Sequence, residues 1–365
     1  MIIIIGGGVF GLAIGWRLAQ AKVPVTILEK GRVGHGASWA AAGMMMPWKL
    51  SRVFSDELFA LQWESHQRWP DFAAELKAAS GVDFYLRDEG RFFTALSDKA
   101  VRRFRRQYDY HRQVGVPVEW LEGDNIRRQE PLFGPEVQAA IFSPIARWVD
   151  ARQVIRALRQ AFLNAGGILK EGTEVVRIQA SENSVQGVQL DHEMIEAKTV
   201  ILAAGAWSGH IPGLSKPLQR FVEPIKGQTL TLQMSPDTVQ LRYPIIGPVY
   251  LVPRSGNQLI VGPTTEDEAG FQINPTVGGV HEILSKAQQI VPSITQLPIL
   301  EMGAGLRPTS EKRQPVLGPT STKGLILASG GHSHGFLLTP IVADAFVQLI
   351  LRHTVFDLIA PFLPE

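Results

Sequence analysis

Three glycines and a glutamate near the start of the chain, with one arginine near its end, are the residues whose types and spacing point to chemistry. Gly6, Gly8 and Gly11 stand in GxGxxG spacing directly after Met1-Ile2-Ile3-Ile4-Ile5 and open a helical stretch over residues 10–21. That order suits a pyrophosphate. Gly6 permits a tight turn, Gly8 lets the backbone approach a phosphate, Gly11 lets helix and strand pack, and the helix start offers N–H groups and the positive end of its dipole. Residues 23–28 read as a second apolar strand, and Glu29 at its end is placed to accept ribose hydroxyls, which disfavours a 2′-phosphate. Strand, turn, helix, strand and acid specify dinucleotide binding more sharply than the glycines alone.

Arg307 stands in Met302-Gly303-Ala304-Gly305-Leu306-Arg307-Pro308. A guanidinium is a planar fork that matches a carboxylate with two hydrogen bonds; by type alone the residue is either such a clamp or a surface arginine beside a turn. The stretch from Gly34 to Met44 is made of small side chains. It suits close approach to a flat or anionic ligand, with Ser38 in reach of a phosphate, and equally suits a tightly packed loop. His332 and His334 could share a metal, but no further histidine or carboxylate cluster accompanies them, so no metal site is expected.

Elements must hold these residues in place. The 365-residue chain is long enough for two interleaved domains, and its 36 basic against 34 acidic residues point to neither nucleic acid nor an anionic membrane. There is no cysteine, which excludes disulfides, thiolate metal sites and a cysteinyl cofactor link and fits a reducing cytoplasm. The longest apolar stretch, residues 40–48, falls well short of a bilayer span, so no membrane span is expected.

Helices are predicted over residues 55–79, 98–115, 151–165, 280–290 and 336–354, the third capped by Asp150 and the last with Pro340 in its first turn. The second carries Arg102, Arg103, Arg105, Arg106 and Arg112 with aromatics interleaved, and reads as a solvated face rather than a nucleic-acid patch. Residues 168–170, 175–180, 185–190 and 194–197 read as a meander, and residues 199–202 as a buried strand. Residues 221–225, 228–233, 249–253 and 258–262 read as strands of a larger sheet.

The glycine-rich start, Glu29 and the Ser38-to-Met44 stretch resemble the D-amino acid oxidase family of FAD enzymes, the glycine oxidase branch above all, and the likeness runs from Met1 to the segment around Phe362. The resemblance implies an α/β fold: a doubly wound, Rossmann-like FAD-binding domain (1–80, 140–215 and 306–365) interleaved with a sheet-rich substrate domain (81–139 and 216–305). It implies FAD contacts at Gly6, Gly8, Val9, Phe10, Gly11, Glu29, Lys30, Ala37, Ser38, Ala42, Gly43, Met44, Val175, Ala204 and Gly205. It adds the turn Gly331, His332, Ser333, His334, Gly335, Phe336 and Leu337, where a helix N-terminus would face charge gathering on the reduced flavin. Ala40 stands where relatives with a histidyl flavin link carry the histidine, so noncovalent FAD is expected. Arg307, in Gly-Leu-Arg-Pro, and Tyr250 match the positions that hold the substrate carboxylate and are the expected catalytic pair, with Ser333, His334 and Met44 beside the substrate.

The activity so implied is oxidation of the C–N bond of a small amino acid, with hydride passing from Cα to flavin N5, the imine hydrolysed by water, and O2 reduced to H2O2. A cytoplasmic enzyme of thiamine biosynthesis is implied, with homo-oligomerisation open. Ser333 stands where glycine oxidase has a second arginine, so glycine, sarcosine and D-amino acids all remain as substrates. Two alternatives stay open at this point: a dehydrogenase passing electrons to a quinone or carrier, and a non-catalytic flavin-binding protein.

Overall fold

Four consecutive isoleucines leave no face for water, and Ile2–Ile5 is an inner strand of a six-stranded sheet with all four residues buried. Its alternating side chains join two different cores: Ile2 and Ile4 on one face, Ile3 and Ile5 on the other. The computed structural model describes residues 1–48, 55–181 and 183–364. The strand order is Val316–Pro319, Leu325–Ser329, Thr199–Leu202, Ile2–Ile5, Val25–Leu28, Ile168–Lys170, parallel throughout except for the antiparallel first pair. Ile5 lies opposite both Leu28 and Leu202, so three strand ends finish level and hand over to Gly6, Glu29 and Ala203.

Helices Val9–Gln20, Ala151–Asn164 and Gly335–Arg352 cover one face. The other is covered by an antiparallel meander, Arg177–Ser181, Ser184–Gln189 and Met194–Glu196, where short strands were expected. Ile168–Lys170, expected in the meander, instead pairs with Val25–Leu28 and extends the parallel sheet.

Gly335–Arg352 is long and apolar enough to cross a membrane, but Leu338, Ile341, Val342 and Phe346 are wholly buried in the core. Pro340 lies in its second turn, not its first. A proline lacks the N–H that would fill the carbonyl four residues back. That carbonyl, Phe336 O, accepts from Trp69 Nε1 at 3.1 Å, while Leu337 O accepts from Ser65 Oγ at 2.7 Å. Pro70 inside Asp56–Ser80 is compensated in the same way, with Arg147 Nη1 donating to His66 O at 2.9 Å.

An eight-stranded sheet forms the second layer, in the order Ile299–Thr309, Glu223–Gln233, Gln258–Gly262, Tyr250–Arg254, Ile245–Ile246, Arg91–Ala95, Ala139–Ser143, Glu119–Glu122. The strands expected at 221–225 and 228–233 are one, Glu223–Gln233, paired along its length with Ile299–Thr309. The expected domain boundaries at 139/140 and 305/306 fall inside Ala139–Ser143 and Ile299–Thr309, whose ladders continue to residues 143 and 309. Val277–Ile290 starts earlier than expected because the Thr276 side chain accepts from Gly279 N–H and caps it. Asp98–Gln113 buries Phe104, Gln107 and His111 and leaves Arg102, Arg103, Arg105 and Arg106 in solvent.

Candidate functional site

The three level strand ends open on a cavity of about 1010 Å³ that runs between the two sheets. This lies at the top of the range for small-molecule pockets, roughly 300–1,000 Å³. Gly6 turns the chain at φ +102°, and a Cβ there would lie 2.5 Å from Ala203 O. A Cβ on Gly11 would lie 2.0 Å from Gly6 O, so this glycine sets the helix-to-strand distance. Gly8 differs. Its φ of −76° is open to any residue, and a Cβ would meet only Ser38 Oγ at 3.5 Å. Protein packing leaves its missing side chain unexplained; a ligand lying against the backbone explains it.

Glu29 accepts from Gly7 N–H at 2.8 Å through one oxygen and from Gly31 N–H at 2.9 Å through the other. Ser38 Oγ accepts from Val9 N–H at 3.0 Å, at the start of a helix whose N-cap, Gly8, supplies no side-chain cap. Lys30 Nζ lies 4.3 Å from the centre of the Trp207 ring, and Phe271 stacks on the same indole at 5.7 Å. Trp207, Ile273 and Thr229 are cavity residues that sequence reasoning missed.

Strand alternation places Gly227 and Thr229 on one strand, and Gly305 and Arg307 on its neighbour, along the cavity wall. A Cβ on Gly227 would lie 2.3 Å from Arg307 Nη2, so the guanidinium occupies room left by that glycine. Arg307 donates to Lys226 O at 3.4 Å and Thr264 O at 3.3 Å, and among the described residues no carboxylate forms an ion pair with it. Burial pushes its pKa below the usual arginine value, against the pull of Tyr250, Asp267 and Glu266, yet a guanidinium stays charged. Burial pushes the Tyr250 phenol up, so it stays protonated. His332 Nδ1 meets Thr309 Oγ1 at 3.0 Å, and burial, helped by Arg307 and Arg313, holds its imidazole neutral with a pKa of about 4. Among the described residues, the acids on the wall are Glu29 and Glu174.

Met44 and Ser333 also line the cavity, Ser333 as an exposed residue, together with Phe10, Ala37, Ala42, Gly43, Val175, Ala204, Gly205, Gly331, Gly335 and Phe336. Three expected contacts do not. Gly11 is spent on helix packing, and Leu337 is turned into the core beside the helices. His334 closes the turn by donating its N–H to Gly331 O at 2.7 Å. Its ring is held at a pKa of about 3 by burial, His332 and Arg91, off the cavity wall. Among the described residues no group of three or more metal-ligating side chains occurs.

Level strand ends and a helix start against ligand-sized space define a site of the dinucleotide-binding class, with the half-buried Arg307 guanidinium on the same wall. The residues fit FAD: Gly8 with the helix start would hold the pyrophosphate, and Glu29 the ribose.

Comparison with known proteins agrees. Residues 1–349 match the family described as FAD dependent oxidoreductase (DAO). Glycine oxidase from Geobacillus kaustophilus is 34% identical over 364 residues, covering 99% of this chain and 95% of that protein. A crystal structure of glycine oxidase from G. kaustophilus superposes with a TM-score of 0.91 at 31% identity, covering 100% of this chain and 98% of that one. The bifunctional protein ThiO/ThiG of Synechocystis is 31% identical over all of this chain and 53% of its own length. The chain belongs to the DAO family of FAD-dependent oxidoreductases, and it is an FAD-dependent amino acid oxidase.

Proposed function

We propose that the substrate is a small amino acid, glycine and sarcosine among those to be tried first, held by Arg307 and Tyr250 against FAD that is bound without a covalent link. The observation that carries this is the Arg307 guanidinium, half-buried on the cofactor cavity with no carboxylate partner of its own among the described residues. When bound, FAD supplies the two-electron acceptor for the Cα–H bond and the route by which O2 becomes H2O2. The backbone oxygens of residues 226 and 264 fix the plane of the guanidinium, leaving further N–H donors for a bidentate carboxylate. Protonated Tyr250 donates a third hydrogen bond, and alignment of the Cα–H bond supplies much of the rate. Neither wall acid belongs to the Arg307 and Tyr250 strands, which suits hydride loss without a protein base. Amino acid, O2 and water thereby give oxo acid, H2O2 and ammonia, or a primary amine in place of ammonia when the substrate nitrogen carries an alkyl group. Its cysteine-free chain suits the cytoplasm, and the ThiO half of the cyanobacterial relative suggests thiamine biosynthesis as the setting.

Arg307→Lys keeps the charge and loses the fork. It should raise KM for the amino acid by about ten- to a hundredfold, the loss of one or two charge-assisted hydrogen bonds, while the yellow colour of bound FAD persists. An unaltered KM would reject the role, and loss of the flavin would assign the residue to cofactor binding instead.

A further inference from the structure

Beside Arg307 lies a second, smaller cavity of about 230 Å³, lined by Ile225, Pro263, Thr265, Arg307, Arg313 and His332. Pro263, Arg307 and His332 also belong to the wall of the large cavity, so the two spaces adjoin at these three residues. This annex is below the usual size for a whole small-molecule ligand, roughly 300 Å³ or more. It suits a fragment of one.

Among the described residues its wall carries two guanidiniums, one hydroxyl and one neutral imidazole against two apolar residues and no carboxylate, with Arg313 and Thr265 exposed at its mouth. The nearby acids do not neutralise it. Glu266 is committed to Lys226 at 3.1 Å, Gln228 at 2.7 Å and Thr264 at 2.5 Å. Asp267 acts on Arg307 and His332 only through space, with no ion pair to either among the described residues. Arg313 sits in a turn closed by its own N–H donating to Ser310 O at 2.9 Å, and holds φ +53°. That left-handed conformation is uncommon for a side-chain-bearing residue. His332, across the same annex, holds φ +45°.

We infer that the annex receives a second acidic group of the substrate, so that the preferred amino acids carry a further carboxylate one or two carbons from the reacting carbon or nitrogen. Arg307 then clamps the α-carboxylate and Arg313 the distal one, with the Thr265 hydroxyl as an additional donor. Arg313 and Thr265 are exposed and keep water as a partner when the side chain is apolar or only a hydrogen, so what a distal carboxylate gains here is the direct contact with the Arg313 charge at the mouth of the annex. This assignment rests on the large cavity being an amino acid oxidase site, and names the substrate class for it.

The test is steady-state peroxide production by the purified holoenzyme with two panels. One holds glycine, sarcosine and D-alanine; the other holds D-aspartate, D-glutamate and N-(carboxymethyl)glycine. At least one dicarboxylate should exceed every monocarboxylate by about two- to fivefold in kcat/KM, the worth of one ion pair to an exposed arginine. Its KM should rise with salt. Arg313→Met should erase the advantage while moving the glycine KM less than twofold, and Arg313→Lys should restore part of it. If dicarboxylates are no better than monocarboxylates, or if Arg313→Met depresses both panels in parallel, the annex has no such role. If neither panel bleaches the flavin under anaerobic conditions, the reading of the large cavity falls with it.

Discussion

Replacing Gly8 by alanine asks a different question from replacing Gly6. A methyl group at Gly8 meets only Ser38 Oγ at 3.5 Å, so the fold should tolerate it and the FAD pyrophosphate should not. Gly8→Ala is expected to leave the apoprotein melting temperature within a degree or two and to weaken FAD binding by about tenfold or more, the scale of one lost backbone-to-phosphate contact. Flavin fluorescence titration measures it. Gly6→Ala forces a methyl to 2.5 Å from Ala203 O at φ +102° and should destabilise the apoprotein by about 1–3 kcal/mol or more. Equal effects of both on fold and FAD would undo the distinction. All three glycine roles are legible in sequence because each answers a local steric demand with a local residue choice. Arg307 is legible only through its Gly-Leu-Arg-Pro setting. What makes room for it, Gly227, is not, because pairing of Glu223–Gln233 with Ile299–Thr309 leaves no trace in either segment alone.

Between Glu266 and Thr276 the chain forms a strap whose base is clamped by one buried residue. Gln228 donates to Glu266 Oε1 at 2.7 Å and Thr276 Oγ1 at 3.1 Å, and accepts from Thr276 N–H at 2.8 Å. The tip reaches the nucleotide end of the cavity, where Ile273 joins the wall and Phe271 rests on Trp207 and, edge-on at 5.0 Å, on His210. Phe271 is 40% exposed, so its removal should not unfold the protein. Phe271→Ala should speed FAD release by roughly two- to tenfold, the worth of one aromatic pair, as read by the rate at which flavin fluorescence appears on dilution. A release rate identical to that of the parent protein would show that the strap does not retain the cofactor. Neither the strap nor the proline repairs are visible in sequence. Residues 263–276 fall between the strand expected at 258–262 and the helix expected at 280–290, and Trp69 stands far along the chain from the Phe336 carbonyl that it satisfies, so only tertiary packing brings donor and acceptor together.

The molecule as a whole should be acid-sensitive, because it buries neutral histidines where arginines also lie. His66 and His111 are almost wholly shielded from solvent. His66 donates through Nε2 to Ile145 O at 3.0 Å, and His111 through Nδ1 to Gln107 O at 2.7 Å, with its ring stacked on Trp48 at 3.8 Å. Burial lowers both to a pKa of about 4, with Arg147 adding to the effect at His66 and Arg91 at both. An unfolded histidine titrates near 6.5. From about 6.5 down to about 4 the unfolded chain therefore binds protons that the folded chain refuses. The stabilisation is complete above that window and drains away as pH falls through it, by at most about 1.4 kcal/mol per pH unit for each histidine. Helix periodicity cannot forecast this, since only tertiary packing lays the Trp48 indole on the His111 ring, with Phe93 stacked on that indole in turn. Calorimetry at constant excess FAD, which holds ligand linkage fixed, should find the melting temperature falling steadily from pH 6.5 to 4.5. His111→Phe keeps an aromatic ring against Trp48 and removes one proton site, so its acid limb should be shallower. A flat melting temperature over that range, or an equally steep limb in the phenylalanine variant, would mean that these imidazoles do not set the acid stability of the fold.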